Sequence, residues 1–241
     1  MGPSHLDVLL DHPEFVVINK PAGIPVIPER FDTSGDDLHT LVKVRFGDSM
    51  MVVHRIDRET SGIVLFARSA EAHRHLSLQF QENKVRKTYL ALVVGAPLWD
   101  ERTVDLPLRA DGDRRHRTLV DAGRGKPSTT DYRVLERLGP YSLVEAHPLT
   151  GRTHQVRVHL AAMGAPVAVD PLYGTDHPIL LSSFKRRYTP SAREERPLLA
   201  RLGLHASALG FTSVSGEDIT VEATLPRDLN ATLNQLRKHA R

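Results

Sequence analysis

Residues 52–67 constrain this chain more than any other stretch. Two apolar runs, Met50 to Val53 and Ile63 to Ala67, enclose a polar segment carrying Arg55, Asp57, Arg58, Glu59, Thr60 and Ser61, closed by Gly62. Both runs have the composition of strands. Polar groups held between two buried strands cost free energy unless they are paired or used. A charged turn that only joins the strands fits this pattern as well as a functional loop does, so the rest of the chain has to decide.

Strand patterns recur on both sides of this stretch. Leu6–Leu10 and Phe15–Asn19 precede it, the second bounded by His12-Pro13 and Lys20-Pro21. Residues 22–28 carry two prolines and are extended. Helical spacing runs over Asp36–Phe46, stopped by Gly47, and again from an N-cap at Ser69 to about residue 82, with Ala72, Leu76 and Phe80 as the buried stripe. Tyr89–Val94 is a strand. Residues 103–108, 116–120 and 129–135 read as an antiparallel meander broken by turn clusters. A strand over Tyr141–Ala146 leads to a helix after Thr153 with Val156, Leu160 and Met163 inward, ended by Gly164. Strands at His205–Phe211 and Ile219–Ala223 and a helix over Asp228–His239 close the chain. Strands joined mostly by turns, with few helices between them, predict an α+β fold with an antiparallel or mixed sheet. With 241 residues and 40% apolar content, the chain suits one large domain or two closely packed lobes.

Composition removes several kinds of chemistry. There are no cysteines, hence no disulfide, thiolate nucleophile or cysteine-ligated zinc, which fits a cytoplasmic protein. No run approaches the roughly 18 apolar residues of a membrane span. The N-terminus, with Asp7, Asp11 and Glu14, lacks the pattern of a signal peptide. Gly123-Arg124-Gly125-Lys126-Pro127 is not a phosphate loop, because Pro127 stands where a hydroxyl residue is needed. His73 and His75 point to different helix faces, and His154 and His159 are five apart, a poor spacing for a shared ion. A pI near 9.3 and the basic run at 182–201, six Lys/Arg against two acids, are compatible with a polyanionic partner or with a solvated face.

Three polar stations remain: Arg55 with Asp57, Lys87 with Tyr89, and Arg152 with Thr153, His154 and Gln155. One carboxylate, several arginines and an aromatic ring make neither a hydrolase triad nor a carboxylate pair. They suit a single nucleophilic or basic Asp kept ionised by Arg beside a ring that stacks a flat substrate.

Together the stations resemble one family. His54-Arg55-Ile56-Asp57 with Thr60-Ser61-Gly62 resembles the His-Arg-Leu-Asp-x-x-Thr-Ser-Gly signature of RluA-type pseudouridine synthases. Further blocks agree in order: Asn19-Lys20-Pro21-Ala22-Gly23, Lys87-Thr88-Tyr89, Thr150-Gly151-Arg152-Thr153-His154-Gln155, Asp170-Pro171-Leu172-Tyr173-Gly174 and Leu204-His205-Ala206. Ile56, Val156 and Val169 depart from the usual Leu, Ile and Gly, and Ser213-Val214 replaces a late His-Pro; none of these touches the presumed chemistry.

The resemblance implies an isomerase that converts specific uridines of structured RNA to pseudouridine, with no metal and no cofactor. It implies one catalytic domain over residues 1–241, in two packed halves, whose central mixed, mainly antiparallel sheet carries flanking helices and a catalytic cleft. Asn19-Lys20-Pro21 lies too near the start to leave room for the N-terminal S4 domain of many members. Asp57 would be the catalytic carboxylate; attack on the sugar, addition to the base and proton abstraction toward a glycal all fit the motif. Arg152 would pair with it, and Tyr89 would stack on the target base and be available for proton transfer at C5. Arg55 would fill the space left by the flipped uridine, Lys87 would hold phosphate, and the 182–201 run would touch RNA at the cleft edge. The partner implied is an rRNA or tRNA stem-loop, met by a cytoplasmic monomer without an obligate protein partner or a membrane. Two alternatives stand beside this: a member that binds RNA without catalysis, and a metal hydrolase using His154 and His159.

Overall fold

The computed structural model describes residues 6–28, 37–189 and 194–240. In chain order the elements begin with β1 (Asp7–Asp11), β2 (Phe15–Lys20), α1 (Leu38–Phe46), β3 (Met51–Val52), β4 (Ser61–Ala67) and α2 (Ala70–Gln81). There follow β5 (Arg86–Val94), β6 (Glu101–Asp105), β7 (Leu108–Arg109), β8 (Leu119–Val120), β9 (Thr129–Leu138) and β10 (Tyr141–Pro148). The chain ends through α3 (Gln155–Ala162), a short 3-10 turn, β11 (Leu204–Thr212), β12 (Asp218–Glu222) and α4 (Arg227–His239). The α+β class is as the sequence predicts. The chain divides into two compact units, Met1–Thr88 with His205–Thr224, and Tyr89–Leu204 with Leu225–Arg241.

In the first unit the strand order is β1-β2-β4-β11, with β12 added to β11 and β3 to β4. All these pairings are antiparallel except β4 with β11, which runs parallel through Ser61↔His205 and Gly62↔Ala206. All of β4 is buried, the pattern of a strand covered on both faces. Ile63 and Leu65 join Phe15 and Val17 of β2, Ala72 and Leu76 of α2, and Leu209 and Phe211 of β11 in one core. Phe66 stacks on His39 of α1, with ring centres 6.1 Å apart. The N-caps work through side chains: Asp37 accepts from the Thr40 N–H at 3.0 Å, and Ser69 from the Ala72 N–H at 3.1 Å. Asp36, where the sequence starts the first helix, lies outside the described residues. The apolar run at Met50–Val53 gives only the two residues of β3, whereas β4 starts two residues earlier than the apolar pattern suggests. Ser61 and Gly62 therefore belong to a strand and not to the polar turn, because pairing with β11 recruits them.

The second unit holds the antiparallel order β5-β10-β9-β6. Val156 and Leu160 of α3 pack with Ala91, Val93, Tyr132 and Val144, while Leu229, Leu233 and Leu236 of α4 pack with Leu92, Leu138 and Leu143. Between β6 and β9 the chain leaves this sheet to form the hairpin β7–β8. The expected strand at 116–120 shrinks to two residues because Asp113 organises a turn. Its carboxylate accepts the N–H of Arg115 and of Arg117 and also the Arg117 Nε–H. The Gly-Arg-Gly-Lys-Pro run is another such turn: Asp121 accepts the N–H of Gly123 and Arg124, and a Cβ at Gly125 would lie 2.3 Å from the Asp121 carbonyl oxygen. Of the basic run at 182–201, Arg201 is committed to a bidentate pair with Asp228, both contacts 2.7 Å; Arg193 lies outside the described residues. Among the described residues no helix is long and apolar enough to cross a membrane.

Candidate active site

The turn that carries Asp57 is fixed from two sides within the first unit. On one side is Lys20, fully buried at the end of β2. Its ammonium donates to the carbonyl oxygens of Pro21 at 2.9 Å, Ile24 at 2.8 Å and Arg58 at 2.9 Å. The Arg58 carbonyl also accepts the Gly23 N–H at 2.8 Å, and the Arg58 Nε–H returns to the Gly23 carbonyl at 3.1 Å. The Asn-Lys-Pro-x-Gly block is thus tied to the residue that follows Asp57. The Thr60 N–H donates to the Asp57 carbonyl at 3.1 Å and closes the turn.

On the other side Ser61 and His205 are both buried, with Ser61 Oγ 3.0 Å from His205 Nδ1 and His205 Nε2 3.2 Å from the Ala223 carbonyl oxygen. A carbonyl can only accept, so Nε2 carries the proton and Ser61 donates to Nδ1. Gly62, at φ +115°, lets β4 and β11 meet: a Cβ there would fall 2.1 Å from the Ala206 carbonyl oxygen.

His54 and Lys87 form a neighbouring pair. The His54 ring stacks on Phe80 of α2, centroids 4.5 Å apart, and its Nε2 accepts the Leu65 N–H at 3.1 Å. Burial, and secondarily the charge of Lys87, lowers its pKa to about 3. It is a neutral ring that anchors the start of the turn to β4. Lys87 itself is half-buried, and burial lowers its pKa to about 8. Arg55 is exposed, and among the described residues it has no hydrogen-bond or ion-pair partner.

Tyr89 and Arg152 belong to the second unit. Tyr89 pairs with Ala146 across β5 and β10 and packs partly against the core there. Arg152 lies on the turn before α3, which Gln155 holds in place. The Gln155 Oε1 accepts from the Arg152 N–H at 2.9 Å and the Thr150 hydroxyl at 2.8 Å, and its Nε2 donates to the Thr129 carbonyl and Thr130 Oγ1, both at 2.9 Å. The Arg152 Nε–H reaches the Pro127 carbonyl at 3.2 Å. Below this turn Arg157 and Asp170 form a buried bidentate ion pair, both contacts 2.8 Å, with the guanidinium 5.1 Å from the Tyr173 ring centre. The Tyr173 hydroxyl accepts the Thr118 N–H at 2.8 Å and lies 2.8 Å from His154 Nδ1. His159 is engaged by Thr130 Oγ1 and the Leu106 carbonyl, each at 3.0 Å. Both histidines therefore serve the polar scaffold around α3.

The first unit brings Arg55, Asp57 and Lys87 onto one framework, and the second carries Tyr89 and Arg152. Residue-by-residue reading marked Gln155 with Arg152 at the helix start but did not single out Lys20 or His205 as part of that framework. Their signal lay in the blocks Asn19-Lys20-Pro21 and Leu204-His205-Ala206, where polar residues sit at strand ends.

The result is an α+β fold in which a polar turn carrying Asp57 and Glu59 is held by Lys20 at the end of β2 and leads into β4. The family model described as RNA pseudouridylate synthase matches residues 14–162. The chain is 36% identical over 237 residues to the ribosomal large subunit pseudouridine synthase D of Nitrosomonas europaea, covering 96% of this chain and 65% of that one. To the dual-specificity RNA pseudouridine synthase RluA of Pasteurella multocida it is 38% identical over 208 residues, 86% of this chain and 87% of the relative. The solved structure of human RNA Pseudouridylate Synthase Domain Containing 4 superposes with a TM-score of 0.73 at 26% identity, covering 96% of this chain and 93% of that one. The chain belongs to the RNA pseudouridylate synthase family and resembles its RluA and RluD members. It spans 65% of the length of the Nitrosomonas relative.

Proposed function

We propose that this protein isomerises uridine to pseudouridine in structured rRNA or tRNA, acting in the cytoplasm as a monomer with both units serving one catalytic domain. In that reaction the N1–C1′ bond of a uridine breaks, the base turns, and a C5–C1′ bond forms; C5 gives up its proton and N1 gains one. Asp57 is the catalytic carboxylate, with Arg152 as its charge partner and Tyr89 as the ring beneath the target base. Arg55 occupies the space the flipped base leaves, and Lys87 holds a backbone phosphate. The basic residues of 182–201 touch RNA at the edge.

One observation carries this reading: the His-Arg-Ile-Asp turn, inside a family match over residues 14–162, is pinned through the Arg58 carbonyl by buried Lys20. A catalytic carboxylate needs such fixing, because misplacement by about 1 Å costs on the order of a hundredfold in rate. The test is tritium release from unmodified transcript RNA labelled at uridine C5. Release, with pseudouridine at the labelled sites, is expected. Binding of RNA without release from any transcript would leave a non-catalytic RNA-binding member of the fold.

A further inference from the structure

A cavity of about 340 Å³ opens beside the catalytic turn, lined by residues 25–28 and by Arg55, Ile56 and Arg58. Its lining contains the residues on both sides of Asp57 but not Asp57 itself. The volume falls at the small end of the roughly 300–1,000 Å³ range of ligand pockets, a size that suits one nucleotide and not a peptide or a helix.

The lining divides into two kinds of surface. Pro25 and Ile27 are half-buried and Pro28 is exposed, so their side chains form the accessible apolar floor, backed by buried Val26 and Ile56. The two arginines are exposed. An apolar floor under two guanidinium groups matches the two halves of a nucleotide: a flat base that stacks or packs on non-polar and guanidinium surface, and a phosphate that pairs with Arg. A purely apolar ligand would leave Arg58 without a role, and a bare anion would leave the floor without one.

Both walls are set before any ligand arrives. The Pro25 carbonyl accepts the Leu38 N–H at 2.9 Å and the Val26 carbonyl accepts the His39 N–H at 3.0 Å, which fasten one wall to the start of α1. Arg58 is fastened at the opposite wall through its carbonyl by Lys20 and Gly23 and through its Nε–H by the Gly23 carbonyl. A preformed pocket loses less entropy on binding than one that must be ordered by its ligand.

We propose that this cavity is the subsite for the nucleotide adjoining the reacting uridine in the RNA, its base on Pro25, Ile27 and Pro28 and its phosphate on Arg58. The proposal rests on the synthase reading and adds to it a place where the identity of the neighbouring base is sensed. Selection of a target uridine then depends on the fit of its neighbour in this pocket as well as on RNA shape.

The experiment uses a stem-loop carrying a uridine that the full chain modifies, with each neighbouring nucleotide replaced in turn by an abasic one. For the wild-type protein, kcat/KM should fall about tenfold for one neighbour, the worth of one lost base contact, and little for the other. Ile27→Trp fills the pocket from a half-buried position and should lower kcat/KM on the intact RNA by a similar factor while abolishing the abasic penalty. Arg58→Gln keeps the backbone carbonyl that Lys20 holds and should raise KM several-fold, more than it lowers kcat, with a shallower salt dependence. Indifference of the wild type to both abasic neighbours, or an undiminished abasic penalty in both variants, would overturn the subsite while leaving the synthase reading intact. Absence of turnover by the wild type on every RNA would instead remove that reading, and the subsite with it.

Discussion

The ammonium of Lys20 lies 2.9 Å from the carbonyl oxygen of Arg58, the residue that follows the proposed catalytic carboxylate. A fully buried lysine is rare unless its donors are used, and here it donates to three carbonyls, two from its own loop and one from the turn that carries Asp57. The position of Asp57 is thereby set from outside its own segment.

Lys20→Met keeps the unbranched stem of the side chain, one atom shorter, and removes its donors, leaving those carbonyls short of a partner. Stability should fall by about 2–3 kcal/mol, in line with the cost of stranding buried polar groups. Because Asp57 loses its fixed position, kcat should fall more than RNA affinity does. Urea unfolding, together with kcat and Kd on one RNA, checks both parts; unchanged kcat in a folded variant would contradict the positioning role.

Gly62→Ala should be among the most damaging single substitutions in the first unit. The added Cβ would sit 2.1 Å from the Ala206 carbonyl oxygen, a backbone atom that cannot rotate away, at a φ of +115° that L side chains rarely adopt. A loss of about 3 kcal/mol or more is expected, read as a lowered urea midpoint or failure to accumulate as soluble protein.

These two sites show what the sequence reveals and what it conceals. The strands, the α+β class and the helices after Ser69 and Thr153 were legible, because apolar periodicity and capping residues act locally. The start of β4 was not: Ser61 and Gly62 look like the end of a polar turn, and only pairing with His205 and Ala206, far away in sequence, makes them strand. The strand expected at 116–120 failed for the opposite reason, since Asp113 captures the backbone in a side-chain turn that period alone does not reveal. For the site, Asp57, Arg55, Lys87, Tyr89 and Arg152 were marked as polar residues at strand edges and a helix start. Lys20 and His205 act through hydrogen bonds across the fold, and no local pattern announces that; Gln155 was marked at the helix start, but not its bonds to Thr129 and Thr130.

The pH response of RNA binding should carry the signature of Lys87. Burial lowers its pKa from 10.5 to about 8. If its ammonium holds a phosphate, affinity should weaken as pH rises through about 8, and Lys87→Arg, which stays charged, should keep its affinity to pH 9.5. The sign for stability is opposite: between about 8 and 10.5 the unfolded chain binds more protons at this residue, so stability gains with rising pH there. Fluorescence anisotropy at fixed salt from pH 6.5 to 9.5 tests the binding part; parallel curves for the two proteins would contradict it.

The buried pair Arg157–Asp170 should behave as a support of the α3 turn and not as a participant in chemistry. Asp170→Asn leaves the guanidinium buried without its counter-charge and should cost about 3–5 kcal/mol, measured by urea unfolding. A loss below 1 kcal/mol would show that the pair does not support the Arg152 turn.

The central claim is that Asp57 carries the chemistry on a scaffold that other residues hold still. Its most direct test is Asp57→Ala, assayed for tritium release from uridine-C5-labelled RNA and for affinity toward the same RNA. Release should fall to background while the Kd stays within a few-fold of wild type and the melting curve is preserved. Release at the wild-type rate from the folded variant would contradict the account.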